Sequence, residues 1–292
     1  MKKTLPLLFL LCLSFRVKAQ NFDDFLKAYE GQNQISYFQP LSDVLTAGLN
    51  SGHVDRMPLD SSFHFTIKLI GNRSYFITDK LRTFEPLDAE GQALGFQVPT
   101  IVGPSETVVI ENQNGSADTY VPGSGSRFIP LVAPQITIGN FAGTSLSLRF
   151  AQYKGKESDD TFRWIGAGVQ HNLGRYFLKN TNDFLVFNYA FQKLGMNNYF
   201  DFTTQRASIH AGKQAKLYHF YGFLGFQTGK LDADFEYEDS QDLTSQFNIS
   251  LKNKNKLVGG VGAGLKLSVL IINAEVSLLQ PTVVSANVGL SF

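Results

Sequence analysis

The chain has 292 residues and one cysteine, Cys12. A single thiol that close to the start excludes a disulfide framework, and it leaves the rest of the chain without thiolate chemistry or cysteine metal ligands. Tryptophan is almost missing, with one residue beside 26 Phe and 11 Tyr. Charge is scarce at 17%, which is low for a surface that faces only water. Beyond the first residues no run of about 18 apolar residues occurs, so no helix is expected to span a bilayer. Mean hydropathy is −0.08, far from that of a helical membrane protein. Net charge is also lacking, at +1. Losing Lys2, Lys3, Arg16 and Lys18 with a leader lowers the basic count from 26 to 22 against 25 acids, a net −3. Neither value favours strong nucleic-acid binding.

The first residues have the layout of an export signal. Lys2 and Lys3 are the positive start, Leu5 to Phe15 the apolar run, and Val17-Lys18-Ala19 a cleavage site ahead of Gln20. Leu11 before Cys12 does not fit a lipidated leader, where a small residue belongs.

What the chain has in quantity is alternation, clearest at its end. Val284, Ala286, Val288, Leu290 and Phe292 are apolar, and Ser285, Asn287, Gly289 and Ser291 between them are small or polar. The preceding segments repeat the pattern, with Ile272, Ala274, Val276 and Leu278, and before them Val261, Ala263, Leu265 and Leu267. Period-2 alternation makes a strand with one greasy and one wet face. Such strands on short turns, in an exported chain without a spanning helix, predict an all-β fold, a transmembrane antiparallel β-barrel.

Taken in order, residues 20–58 are the helical part. Phe22, Phe25, Leu26 and Tyr29 share one helix face, and Pro40 opens a second run through Leu41, Val44, Leu45 and Leu49 to Asn50-Ser51-Gly52. Two placements are open for it, a helix packed on a soluble core or a cap or plug of the barrel. Ser61 to Gly71 is the first strand, and residues 72–130 form a long excursion with a small hairpin between Thr107–Ile110 and Asp118–Val121. Regular strands follow at 135–141, 144–153, 162–171, 184–194, 203–212, 217–228, 231–238, 246–252, 261–268, 272–278 and 284–292, with the charged run 154–160 as a loop. The expected organisation is a signal at 1–19, a helical cap or plug at 20–58 and a barrel at 59–292. About 12 strands are expected, within a range of 10–14.

Several segments resemble an uncharacterised family of Bacteroidota-type outer-membrane barrels, defined only as a domain of unknown function. They are Tyr37-Phe38-Gln39-Pro40-Leu41 leading to Ala47-Gly48-Leu49-Asn50-Ser51-Gly52; Val98-Pro99-Thr100-Ile101-Val102-Gly103-Pro104; Ala133 to Gly139 with Gly143 to Phe150; and Ile165 to Leu173. His53-Val54-Asp55 departs from the pattern, where relatives carry an aromatic residue. The resemblance implies an outer-membrane barrel and no activity. In layout, a helical segment before a barrel is also distantly similar to transporters of the long-chain fatty-acid type.

Catalytic and metal-binding patterns are thin. The five histidines have no metal-ligand spacing with a carboxylate. Ser208 and His210 share a strand face but have no acid beside them, and read as two polar lumen residues. Gly259 to Gly264 imitates a phosphate loop yet lies in a strand pattern, where glycine gives room to neighbouring aromatics. Asp232, Asp234, Glu236 and Glu238 form the densest acidic cluster, facing the lumen or standing above the membrane, either solvated or able to hold a divalent cation. Neither a catalytic residue nor a cofactor is expected, and the chain reads as a non-enzyme. The expected function is a passive outer-membrane channel or transporter for small, amphipathic or hydrophobic molecules. The alternative is a non-conducting barrel that docks a partner through its excursion. Expected partners are outer-membrane lipid, a small solute, and the barrel-assembly machinery, which would read the C-terminal strand ending in Phe292.

Overall fold

Each stretch of alternating sequence becomes a strand, and the strands close on themselves. The computed structural model describes residues 31–54, 63–111, 117–154, 161–180, 182–196, 200–238, 244–279 and 281–292. The leader, the first helical run at 22–29 and the charged residues 155–160 lie outside the described residues. The staves are β1 (His64–Tyr75), β6 (Phe128–Phe141), β7 (Thr144–Lys154), β8 (Thr161–Asn172), β9 (Asp183–Met196), β10 (Phe200–Gln214), β11 (Tyr218–Glu238), β13 (Leu257–Leu267), β14 (Leu270–Ser277) and β15 (Thr282–Ser291). They pair antiparallel in that order, β15 returns to β1, and the β10–β11 pairing completes the ring.

The closed ring therefore has ten staves, not twelve, for two reasons. The segments 217–228 and 231–238 are one 21-residue strand, β11. The strand β12 (Thr244–Lys252) pairs with the far half of the same β11 edge that β13 pairs with in its near half. Residues 253–256 sit opposite 227–229, four against three, so β12 and β13 are one stave broken by a bulge. The excursion adds nothing to the ring. It holds a short helix α2 (Asp79–Arg82) and two two-stranded sheets, β2 (Thr83–Phe84) with β3 (Val98–Pro99) and β4 (Val108–Glu111) with β5 (Ala117–Tyr120). The second is the expected hairpin, whose turn lies outside the described residues.

The two ends of the barrel differ. At one end sit the C-terminus and tight turns, among them Ala142-Gly143 with φ of 50° and 84°, the positive-φ pair that suits the twist of a hairpin. The other end carries the excursion. Helix α1 (Gln32–Leu49) runs inside the ring from the excursion end, about 27 Å at 1.5 Å per residue, and is buried from Gln39 to its end. Pro40 lies inside this helix rather than at its start. A proline there removes one helix hydrogen bond, a cost of about 3 kcal/mol that tertiary packing must offset. The excursion and the wall supply that packing: the Ile101 amide of the excursion donates to Tyr37 O at 3.1 Å, and the Gln39 amide donates to Lys252 O of the wall at 2.9 Å. No helix among the described residues is long and apolar enough to cross a membrane, which says nothing of strands.

Along the barrel axis the interior changes character. Near the excursion, Tyr37, Leu41, Val44, Leu45 and Leu49 of α1 form one apolar core with Ile101, Val102, Ile129, Leu131, Trp164, Phe202, Leu231 and Ile249. Toward the turns the inward residues are polar: His64, Thr66, Lys68, Gln135, Arg149, Asn188, Arg206, Asn273, Glu275 and Asn287, all buried. The outer surface runs the opposite way. Ile67, Leu69, Leu148, Phe150, Ile165, Phe220, Leu224, Phe226, Val288 and Leu290 are exposed around the turn-side half. On β9 the outward row is Asp183, Leu185, Phe187, Tyr189, Phe191, Lys193. Ten residues at about 3.3 Å is about 33 Å along the strand. At a tilt of about 40° the two charged rims stand about 25 Å apart, with the row Leu185 to Phe191 between them. Ion pairs mark the rims, Lys213 with Asp183 at 3.6 Å below and Lys193 with Asp201 at 3.0 Å above.

Candidate functional site

The lumen is the candidate site, and the chain's own residues 48–54 lie in its middle. Helix α1 ends at Leu49, where its last carbonyls have no intrahelical donor and carry the negative end of the dipole. Three cations from three staves meet this stretch. Arg149 of β7 donates from Nη1 to Leu49 O at 3.0 Å and from Nε to Gln135 Oε1 at 2.8 Å. Arg206 of β10 donates to Asn50 O at 3.4 Å and faces Glu275 of β14 at 3.6 Å. Lys68 of β1 donates to Gly52 O at 3.3 Å and Val54 O at 3.2 Å. All three are at most 3% exposed. Hydrogen bonds from charged groups contribute about 1.5–3 kcal/mol each, so this turn is a point where the wall grips the plug through polar contacts.

Neutral partners complete the grip. Asn72 donates to Gly48 O at 2.8 Å and Ser51 O at 3.2 Å, and the Asn50 amide donates to Thr204 Oγ1 at 2.6 Å. The Trp164 indole, a donor only, gives its proton to Gln192 Oε1 at 2.8 Å, which turns Gln192 Nε2 toward His53 Nε2 at 2.6 Å. The His53 Nε2 is therefore an acceptor, and the ring is neutral with its proton on Nδ1.

Higher up, the plug is keyed to the bulge. Asp43 Oδ1 accepts the Lys254 amide at 2.6 Å and the Asn255 amide at 3.5 Å. Burial raises the Asp43 pKa, and those two amides oppose the rise. Helix and wall touch through glycine. A Cβ on Gly48 would lie 2.4 Å from Ser74 Oγ, and one on Gly229 would lie 2.0 Å from Thr46 Oγ1.

Of the acidic residues singled out by sequence, Asp232 and Asp234 are not in the lumen. Leu231 and Ala233 are buried inward, so Asp232 and Asp234 face outward, past the last apolar row of β11. Asp232 meets Lys230 at 2.7 Å and accepts from Ser250 Oγ at 2.8 Å. The side chains of Glu236 and Glu238, further along β11, lie outside the described residues. No group of three metal-ligating side chains occurs among the described residues. Phe292 is exposed at the turn end, its backbone paired both ways with Phe65 at 2.9 and 3.0 Å. Ser208 Oγ lies 2.9 Å from His210 Nε2, but among the described residues His210 Nδ1 has no hydrogen-bond partner and no acid orients the ring. The glycines of β13 lie in a strand, as read from sequence. A Cβ on Gly262 would sit 2.3 Å from the Tyr221 ring, and one on Gly264 2.3 Å from His219.

Lys68, Arg149, Arg206, Glu275 and His53 were not singled out by sequence as a group. Four of them had a local signal, a full charge in the wet register of a strand whose other face is apolar: Ile67-Lys68-Leu69, Leu148-Arg149-Phe150, Arg206 near Ile209, and Ala274-Glu275-Val276. Their convergence on residues 49–54 depends on the plug and has no sequence signal.

A model described as "Family of unknown function (DUF6588)" matches residues 1–292, the whole chain. No curated protein matches the sequence. Among solved structures, the chain is similar to Ail, the attachment invasion locus protein of Yersinia pestis, with 11% identity over 79% of this chain and 99% of that one and a TM-score of 0.26. It is similar to the outer membrane protease OmpT from Escherichia coli, with 8% identity over 83% of this chain and 99% of that one and a TM-score of 0.37. A deletion mutant of the TodX monoaromatic hydrocarbon channel is 7% identical over 80% of this chain and 89% of that one, with a TM-score of 0.22. Likenesses at these scores carry no argument, and the barrel rests on its own strand pairing.

Proposed function

We propose that this chain, which belongs to the DUF6588 family of unknown function, is an outer-membrane β-barrel that gives small molecules a passive route closed at rest by its own plug. One observation carries the reading: the turn-side half is apolar outside and polar inside, between rims that carry ion pairs. Water outside such a wall would leave its apolar rows exposed, whereas hydrocarbon matches both the rows and their height. Export by a cleaved leader, and handling by the barrel-assembly machinery through the strand ending in Phe292, belong to the same proposal. So do the absence of catalysis and the likeness in layout to long-chain fatty-acid type transporters. The polar inner wall favours a solute with polar groups over a purely hydrophobic one.

The second reading, a non-conducting barrel that docks a partner through its excursion, is favoured by the completeness of the apolar seal around α1. Two measurements test the pair. The protein should sit in the outer-membrane fraction and migrate faster unheated than boiled; a soluble, detergent-free monomer overturns both readings. In planar bilayers, rare openings that become frequent when the plug is loosened support the conduit. Silence from a folded, plug-loosened variant supports docking.

A further inference from the structure

We propose that this barrel displays its own amino terminus on the outer face of the membrane, with the chain ahead of α1 standing beyond the excursion-side rim. The inference rests on the outer-membrane reading of the barrel, and it adds which end of the plug faces out. Contacts at successive levels fix the direction of α1. At its start, Asn33 Nδ2 donates to Leu87 O and Asn33 Oδ1 accepts the Leu87 amide, both at 2.8 Å, and Leu87 belongs to the excursion. One turn on, the Tyr37 hydroxyl donates to Pro122 O of the excursion at 3.2 Å. Further down, Asp43 meets the bulge, Thr46 lies against Gly229, and Gly52 and Val54 reach Lys68 near the turn end of β1. Gly229 adjoins Lys230, whose ion pair with Asp232 stands in the excursion-side rim, where Asp232 is opposite Asp201. The helix from Thr46 back to Gln32 is about 21 Å long at 1.5 Å per residue, so its start stands outside the apolar rows. Short turns mark the inner side of such barrels and long loops the outer side. Here Ala142-Gly143 and Ser268-Val269 close the turn end, and residues 76–127 leave the other. The chain ahead of Gln32 has no way back through the ring, because α1, about 10–12 Å across with its side chains, is packed into the excursion-side core. For a chain delivered from the inner side, the amino end has therefore been carried across the membrane, and the barrel is what carries it. Asn33 and Tyr37 tie the helix start to the excursion, so the two are presented outward as one surface.

The test uses the full chain in intact cells, in a Cys12→Ser background, its fold checked by the unheated-to-boiled mobility shift. Single cysteines are placed at three exposed positions: Gln32→Cys at the helix start, Glu90→Cys in the excursion and Lys179→Cys at the turn end. The probe is a maleimide on a polymer too large to cross the outer membrane, added before or after that membrane is permeabilised. Gln32→Cys and Glu90→Cys should label in intact cells to an extent that permeabilisation does not raise. Lys179→Cys should label only after permeabilisation. An epitope inserted after Gln20 gives a second readout, since protease added to intact cells should remove it. Labelling of Glu90→Cys without Gln32→Cys in intact cells, with the epitope retained, overturns the display and leaves the barrel reading standing. Labelling of Lys179→Cys alone, or of no position, in intact cells also overturns the display, because the excursion then does not face out. Absence of the protein from the outer-membrane fraction overturns the barrel reading, and the display with it.

Discussion

The two halves of β11 show how one strand serves two solvents. From Tyr218 to Phe226 its outward residues are Tyr218, Phe220, Leu224 and Phe226, and its inward ones include His219, Tyr221 and Phe223 beside the polar lumen. From Lys230 onward the outward residues are Lys230, Asp232 and Asp234, while Leu231 and Ala233 turn inward onto the plug. The same period-2 backbone is apolar-out in the first half and apolar-in in the second. The first half is built for hydrocarbon outside and a wet interior. The second is built as a soluble protein is, with an oily core under a charged surface. The bulge at 253–256 falls at the changeover, and Asp43 of the plug binds its amides. A single chain thus has a turn-side half held by polar contacts to residues 48–54, and an excursion-side half held by hydrophobic burial around α1.

That contrast orders four predictions by size. Leu45 is 1% exposed in the outer core, so Leu45→Ala should cost about 2–5 kcal/mol of plug stability. It should be read as faster labelling of Ser51→Cys, with the mobility shift of the barrel retained. If the mobility shift is lost too, the halves are not separable. In the turn-side half, Leu224→Arg should cost about 2–4 kcal/mol when unfolding is measured in vesicles, and Thr228→Arg, near the rim on the same face, about 0–1 kcal/mol. Equal costs would erase the boundary. Gly48→Ala sets a methyl against Ser74 and Leu131 and should loosen the plug by about 1–3 kcal/mol, seen as more frequent bilayer openings.

The smallest effect is the pH response of Asp43. Its pKa is raised in the folded protein, so protonation favours the seated plug. The stabilisation is fully present below the ordinary carboxylate value of 3.8 and is lost as pH rises through the raised one. Labelling of Ser51→Cys should therefore increase as pH rises through that window. Asp43→Asn should flatten the dependence, at a stability cost of about 1 kcal/mol from the weakened bonds to Lys254 and Asn255.

Much of this architecture was legible in sequence because strand faces are a local property. The rows Val284 to Phe292 and Ile272 to Leu278 announced which side of each stave is apolar, and Thr107–Ile110 with Asp118–Val121 announced the hairpin found at Val108–Glu111 and Ala117–Tyr120. The strand count failed where local and global differ. Thr228-Gly229-Lys230 reads as a turn, yet Gly229 continues β11 and makes room for Thr46. Pro40 reads as a helix start, but packing carries the helix through it. The acidic row on β11 was legible as charge, but its side of the wall was not, because inside and outside exchange polarity partway along the strand. The cation grip was the least legible part, since Lys68, Arg149 and Arg206 are distant in sequence and meet only through the plug.

The polarity exchange is tested most directly by scanning β11. Single cysteines at Phe220, Leu224, Thr228 and Asp234, in a Cys12→Ser background, would carry an environment-sensitive fluorophore in vesicle-folded protein. Hydrocarbon-like emission at 220 and 224, an intermediate value at 228 and water-like emission at 234 is the predicted series. Water-like emission at all four positions would contradict it.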